Sequence, residues 1–418
     1  MRTTLPRAAG LAAILVLTIV GRAWALAGDL DGAYGGGDGI VTEQFDTGKT
    51  FGLGVAIQTD GRAVVAGYSW AGSQTNMAVA RYTTGGVLDS AFGGGDGKVT
   101  IDFSIFGIPR DDVAWAVVIQ PDGKIVVAGT SAGRFAVARL HAGGTLDLTF
   151  SGDGKVRTDL LGADDFGNDV VLQPDGKIVV GGRSGGDVAI VRYLSDGTAD
   201  SSFSGDGEAY VPFGWFGNAV ALSGTRILVA GSSNDGDDFF LARLTRGGVL
   251  DTRFGGGDGW VETDFSGGHD SAHDLAVQAD GRIVLAGEAS VAGDPDFALA
   301  RYSAGGALDS TFSGDGKKTT DVLGDPDLCG AMAIQADGNY VVVGRAETPD
   351  AGPDDQLAVV RYKPGGGLDT SFGGDGKVTT DFPSTIVSGN DVAIQANGKI
   401  VVVGSSSSAW LVARYLAA

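Results

Sequence analysis

The chain has 418 residues, 72 of them glycine and only 11 proline, with 43% hydrophobic and 8% aromatic residues, a balance that excludes a disordered or collagen-like chain. Its 30 basic and 51 acidic residues leave a net charge of -21, which repels a phosphate backbone, so nucleic acid is not an expected partner. One cysteine, Cys329, and three histidines, His141, His269 and His273, supply neither an internal disulfide nor a zinc-binding set.

The first element is an address. Arg2 and Arg7 precede an apolar run from Ala8 to Val20, and two small-x-small sites follow at Ala23-Trp24-Ala25 and Ala25-Leu26-Ala27. Residues 1–25 therefore read as a secretory signal peptide, with cleavage as late as residue 27; the run is too short for the roughly 20 residues that span a bilayer. Membrane insertion is not expected, and the expected location is secreted or periplasmic. Removal of this segment takes the charge to -24, with 27 basic residues left against 51 acidic.

Residues 28–418 are self-similar. A strand-ending arginine recurs at Arg81, Arg139, Arg192, Arg243, Arg301, Arg361 and Arg414, at intervals of 51 to 60 residues. After each comes a Leu-Asp-x-x-Phe pattern, as at Leu88, Asp89 and Phe92, and then Gly-Asp-Gly, centred on Asp38, Asp96, Asp153, Asp206, Asp258, Asp315 and Asp375. Three landmarks in fixed order define a unit copied seven times, a period that suits a propeller blade.

Within residues 155–193 the elements run Lys155 to Leu160, Asp169 to Gln173, Lys177 to Gly181 and Asp187 to Tyr193, each short and valine-rich. These are strands, too short for helices. The second and third are joined by Gln173-Pro174-Asp175-Gly176, in which proline presets φ and glycine accepts the left-handed position of a hairpin turn. Runs such as Ile125-Val126-Val127-Ala128 are apolar on both faces and demand neighbours on both sides. The expected fold is all-β: a single-domain seven-bladed propeller of four-stranded antiparallel blades, Asp169-type strands innermost and Lys155-type strands outermost. The strand Ile40 to Phe45 should complete the last blade beside Trp410 to Tyr415, leaving no open edge.

The unit Asp-Val-Ala-Ile-Gln-x-Asp-Gly-Lys-Ile-Val-Val-x-Gly, continuing through Ala-Arg-Tyr and Leu-Asp-x-x-Phe to Gly-Asp-Gly-Lys-Val-x-Thr-Asp-Phe and clearest at residues 388–404 and 361–382, resembles the delta-60 repeat family of exported bacterial β-propellers. The fourth unit departs, with Ser223-Gly224 shortening the turn and Pro212 replacing the strand aspartate. The resemblance implies a fold and an exported location; it carries over no activity and no catalytic residues.

A residue present in all seven copies points to architecture, so the repeated arginines and Leu-Asp aspartates read as one structural ion pair or turn cap per blade. The other reading of these glycine-rich, aspartate-bearing loops is calcium, the one cofactor the composition leaves open, although their spacing matches neither an EF-hand nor a β-roll. No nucleophile elbow, cysteine nucleophile or metal-ligand spacing is present, and His269 and His273 with Asp270 and Asp274 read as ordinary polar residues beside a strand. No catalytic or metal-binding residue is assigned.

Loop lengths say more than motifs. The distance from each strand arginine to the next Gly-Asp-Gly aspartate is 14 or 15, and from the turn glutamine to the next Val-x-Gly glycine it is 9 in six of seven units. The two other connections span 10 to 17 and 17 to 24 residues. In an up-and-down blade the constant pair shares one face and the varied pair the other, where loop-borne binding sites belong. That face also gathers acids, among them Asp111, Asp112, Asp164, Asp165, Asp235, Asp237, Asp238, Asp294, Asp296, Asp325, Asp327, Asp350, Asp354 and Asp355.

The expected function is a non-enzymatic binding or scaffold module, a monomer whose protein, peptide or polysaccharide ligand meets the acidic face at residues 68–77, 105–115, 232–239, 288–297 and 345–357. Trp70, Trp115 and Trp215 are candidate aromatic anchors, and Asp354 and Asp355 candidate electrostatic contacts. Around the channel mouth the unit's equivalent position is Leu53, Trp115, Asn168, Asn218, His273, Gly330 and Asn390, an asymmetry that a single ligand site requires. The alternative is a metal-dependent hydrolase or lactonase at that mouth; three or more carboxylates meeting an Asn or His there would favour it.

Overall fold

A computed structural model describes residues 25–45, 48–104, 108, 110–160, 164–233, 238–291, 293–348, 355–382 and 387–417. The signal-peptide reading falls on residues 1–25, all but the last outside the described residues.

Seven antiparallel four-stranded sheets form the ring. The third blade illustrates the order from the channel outward: Asp165–Leu172, Ile178–Ser184, Asp187–Tyr193 and Glu208–Val211. Valine and isoleucine fill the two middle strands of each blade and are fully buried, as at Val179, Val180, Ile190 and Val191. Seven apolar clusters result, each sandwiched between adjacent sheets. Burial on both faces is what a β-branched run without alternation predicts.

The ring closes with the N-terminal strand Ile40–Glu43 on the outer edge of the last blade, in register Ile40↔Ala413 to Glu43↔Trp410. Phe45 packs edge-on against Trp410 at 4.8 Å. Asp31 receives the Arg414 guanidinium at 2.7 Å, repeating across 383 residues the pair that every other blade makes locally.

That pair is the repeated structural unit. In the third blade Arg192 Nε donates to Asp200 at 2.7 Å, its guanidinium lies over Phe203 at 4.6 Å, and Nη1 donates to the Arg246 carbonyl of the next blade at 2.6 Å. The aspartate's second oxygen accepts from the Ser202 backbone N–H. All seven arginines make the carboxylate and aromatic contacts. Each also reaches a carbonyl of the following blade, Arg414 returning to Thr84 of the first. The Gly-Asp-Gly aspartates cap their own turns, as Asp153 accepts from Lys155 N–H at 2.9 Å.

One boundary departs from expectation. The inner strand begins at Asp165 rather than Asp169, because the ladder continues across a bulge between Gly167 and Asp169. Every inner strand is bulged at that position, and the extra residue interrupts the alternation by which a strand is recognised. Opposite the bulge stands the Val-x-Gly glycine. A Cβ on Gly182 would lie 1.8 Å from the Phe166 carbonyl, so no side chain fits there.

Candidate channel-mouth site

The bulge residues are the seven asymmetric positions of the channel mouth. Leu53, Trp115, Asn168, Asn218, His273, Gly330 and Asn390 all line one cavity of about 510 Å³. They sit in the half of the inner strands farther from the Gln-x-Asp-Gly turns, so the cavity belongs to the end where loop lengths vary. Five side-chain types occupy seven equivalent positions, and the bulge aims each one at the axis.

Three of these side chains also join blades. Asn168, Asn218 and Asn390 donate from Nδ2 to the carbonyls of Gly217, Ala272 and Gly52 in the following blade, at 3.1, 2.8 and 2.7 Å. His273 Nε2 lies 3.3 Å from Glu288 Oε1. Trp115 is 39% exposed, and Trp70 and Trp215 are each 40% exposed.

The next residue along each strand brings three buried carboxylates that the sequence reading did not select: Asp169, Asp274 and Asp391. Each holds two backbone N–H groups, its own successor's and one from the next blade; Asp169 takes Val170 at 2.7 Å and Val220 at 2.8 Å. Asp274 spans Leu275 and Met332, and Asp391 spans Val392 and Val55 across the closure. Burial pushes the Asp169 carboxyl up to about 7 and Asp274 up to about 6, and raises Asp391 well above the usual carboxylate range. The signal was an aspartate in an apolar run at a position where the other blades have Gly54, Ala116, Ala219 and Ala331.

Arg183 is the second residue missed. Its guanidinium lies 4.4 Å from the Phe166 ring and 4.5 Å from Phe216, and Trp215 stacks on Phe216 at 5.9 Å. Among the described residues no carboxylate forms an ion pair with Arg183. The result is a half-buried cation held flat between two aromatic faces at the cavity wall.

The carboxylates thus meet Asn and His in the channel, the feature set down as favouring a metal hydrolase. Their geometry does not fit an ion. Among the described residues, the acid and histidine groups whose ligand atoms lie within 4.8 Å of one another are elsewhere, on the outer loops, and every oxygen of the three channel aspartates already accepts a backbone N–H.

The acidic face is less free than composition suggested. Asp354, with Asp235, Asp237 and Asp350, lies outside the described residues. Asp355 is 8% exposed and takes the Arg345 guanidinium at 2.9 Å, so it is an internal partner and not an exposed contact. Asp112, Asp165 and Asp327 are fully buried because each caps a backbone N–H at the end of the neighbouring outer strand. Charge counting cannot see these engagements.

A family model described as a domain of unknown function (DUF5122) beta-propeller matches residues 58–92, 120–150, 173–203, 226–254, 278–312, 335–372 and 395–417. The chain belongs to the DUF5122 β-propeller family. No curated protein matches it. Among solved structures, virginiamycin B lyase from Staphylococcus aureus is similar with a TM-score of 0.53 at 9% identity, covering 90% of this chain and 99% of that one. A streptogramin B lyase gives 0.51 at 10% identity, with 89% and 96% covered. Sqt1 of Chaetomium thermophilum gives 0.50 at 13% identity, with 89% and 97% covered. At these identities the likeness is one of fold alone.

Proposed function

We propose that this DUF5122 propeller is an exported binding module whose protein or peptide ligand docks on the diversified end and inserts a small group into the channel mouth. One observation carries the reading: seven equivalent positions bearing different side chains converge on a single cavity of about 510 Å³, within the size range of ligand pockets. Trp115 and Trp215 offer rigid apolar area at the rim, the kind of side chain that dominates binding energies. Arg183 and the asparagine amides supply the few fixed polar contacts that orient a ligand. The remaining surface acids, Asp111, Asp164 and Asp294 among them, favour a basic segment around that insertion and speed its approach.

The test is a screen of short basic peptides by tryptophan fluorescence, with hits repeated on Trp115→Ala and Arg183→Ala. Each variant should weaken binding about tenfold or more while the melting temperature holds, and association should slow as salt rises. Undiminished binding in both variants, or equal loss from Asp122→Lys on the constant face, overturns the reading.

A further inference from the structure

Four blades begin their inner strand with an aspartate that plays the same backbone role. Asp112, Asp165, Asp270 and Asp327 each accept, through Oδ2, the N–H of a residue just past the preceding outer strand: Phe103, Leu160, Phe265 and Val322. What differs is the surrounding of the other oxygen. Across the ladder from Asp112 and Asp165 stand serines, Ser131 and Ser184. The Ser131 hydroxyl helps to hold Asp112 in its charged form, though outside strict hydrogen-bond geometry. Across from Asp270 and Asp327 stand alanines, Ala289 and Ala346. Asp270 recovers a donor from the Ser290 N–H at 3.2 Å. Asp327 recovers none: its Oδ1 is buried, and among the described residues it has no hydrogen-bond partner.

The groups facing that oxygen are two more carboxylates. Ligand atoms of Asp296, Asp321 and Asp327 all lie within 4.8 Å of one another, and among the described residues none of the three has an ion-pair partner. Lys377, the nearest cation, donates to the Asp321 and Val322 carbonyls at 3.1 and 3.3 Å instead. Burial, with the charges of Asp296 and Asp321 adding to it, pushes the Asp327 carboxyl up to about 7. An unpartnered buried oxygen against like charges costs free energy unless a cation completes it.

The equivalent place two blades earlier shows what is missing. There the residue corresponding to Asp296 is Arg134, which pairs with Asp159, the counterpart of Asp321, at 2.7 Å. One blade interface carries its own cation; the other has a third carboxylate in its stead.

We propose that Asp296, Asp321 and Asp327 form a calcium site between the fifth and sixth blades. All the donors are oxygens, as a hard cation prefers, and they come from three separate segments: the third strand of one blade, the end of its outer strand and the start of the next inner strand. The exposed side of Asp321 leaves room for the waters that fill a calcium shell. The ion neutralises the cluster, satisfies the buried Oδ1 and ties the two blades together on the diversified face. Asp238, Asp264 and Asp270 repeat the arrangement one blade earlier, with Asp270 already supplied with hydrogen bonds through both oxygens.

The experiment counts ions on the folded chain. Chelator-treated protein is dialysed against about 1 mM calcium, the upper end for extracellular modules, and bound calcium is measured by elemental analysis beside Asp296→Arg, Asp321→Asn and Asp122→Lys. Native protein and Asp122→Lys should hold the same number of ions. Asp296→Arg, which installs the arginine found two blades earlier, and Asp321→Asn should each hold one fewer, and calcium should raise the melting temperature less in both than in native protein. Asp296→Arg should also melt no lower than native protein without calcium, which shows it folded. An unchanged count in Asp296→Arg and Asp321→Asn, an equal loss in Asp122→Lys, or no calcium on the native chain overturns the site.

Discussion

The two ends of the propeller are built from the same strands but on opposite rules. At the constant end each blade repeats one arginine, one aspartate and one aromatic ring, and the arginine crosses to a carbonyl of its neighbour. At the diversified end the blades are also joined, yet each joint differs: an asparagine amide, a buried aspartate, an arginine pair, or an unneutralised acid triad. Repetition makes the first end a scaffold. Because that scaffold carries closure and register, the second end is free to vary, which is the arrangement loop-borne recognition requires.

This contrast is broken most severely at the closure. A chain lacking residues 1–45 exposes the Ala409–Tyr415 edge and loses the Asp31 partner of Arg414. Light scattering should show soluble monomer replaced by aggregate; a monomer with native melting would mean the ring closes otherwise.

At the constant end, Arg192→Ala leaves the Asp200 carboxylate buried without its main partner, and Arg192 is only 1% exposed. Urea unfolding should show a loss of about 3–5 kcal/mol. Gly182→Ala should cost about 1–3 kcal/mol as the bulge is pushed away, since the added Cβ meets a carbonyl at 1.8 Å.

Acidity separates the ends more finely. Channel aspartates with raised values favour the folded state most when protonated: their contribution is full below the ordinary carboxylate range and declines as pH rises from about 4 to 7, with Asp274 and Asp169 at about 6 and 7. Constant-end aspartates behave oppositely. Asp251, held down to about 2 although burial opposes it, by the Arg253 N–H and the Arg226, Arg253 and Arg243 side chains, contributes above the ordinary range and is lost as pH falls toward 2. Asp169→Asn should flatten the slope of stability between pH 4 and 7 and leave the acid limb unchanged. An unaltered slope, measured by melting temperature against pH, would show that Asp169 is charged throughout.

The smallest effect belongs to the diversified rim. Arg134→Ala removes an exposed ion pair with Asp159, and thermal melting should not register it. A clear loss would show that this rim is scaffold too.

The chain's local chemistry was legible where it is repeated. Seven arginines at near-constant spacing, each followed by aspartate and an aromatic, specified blade number, strand order and the structural pair. The position of Ile40 to Phe45 within the repeat specified the closure partner. Even the seven channel-mouth positions emerged, since aligned copies expose the column that varies.

What each of those residues does was decided across blade boundaries, and there the linear order is silent. Asp169 is bonded to Val220 and Asp391 to Val55, 51 and 336 residues away. Arg183 stacks between rings of two blades, while Asp296 and Asp327 face each other across the boundary between the fifth and sixth blades. Whether an aspartate is an exposed charge, a backbone cap or an ion ligand depends on burial and on the groups opposite it. A period of 51 to 60 residues sets which blade is neighbour to which, but only the packed ring, through the twist of its sheets and the bulge in every inner strand, sets which atoms meet.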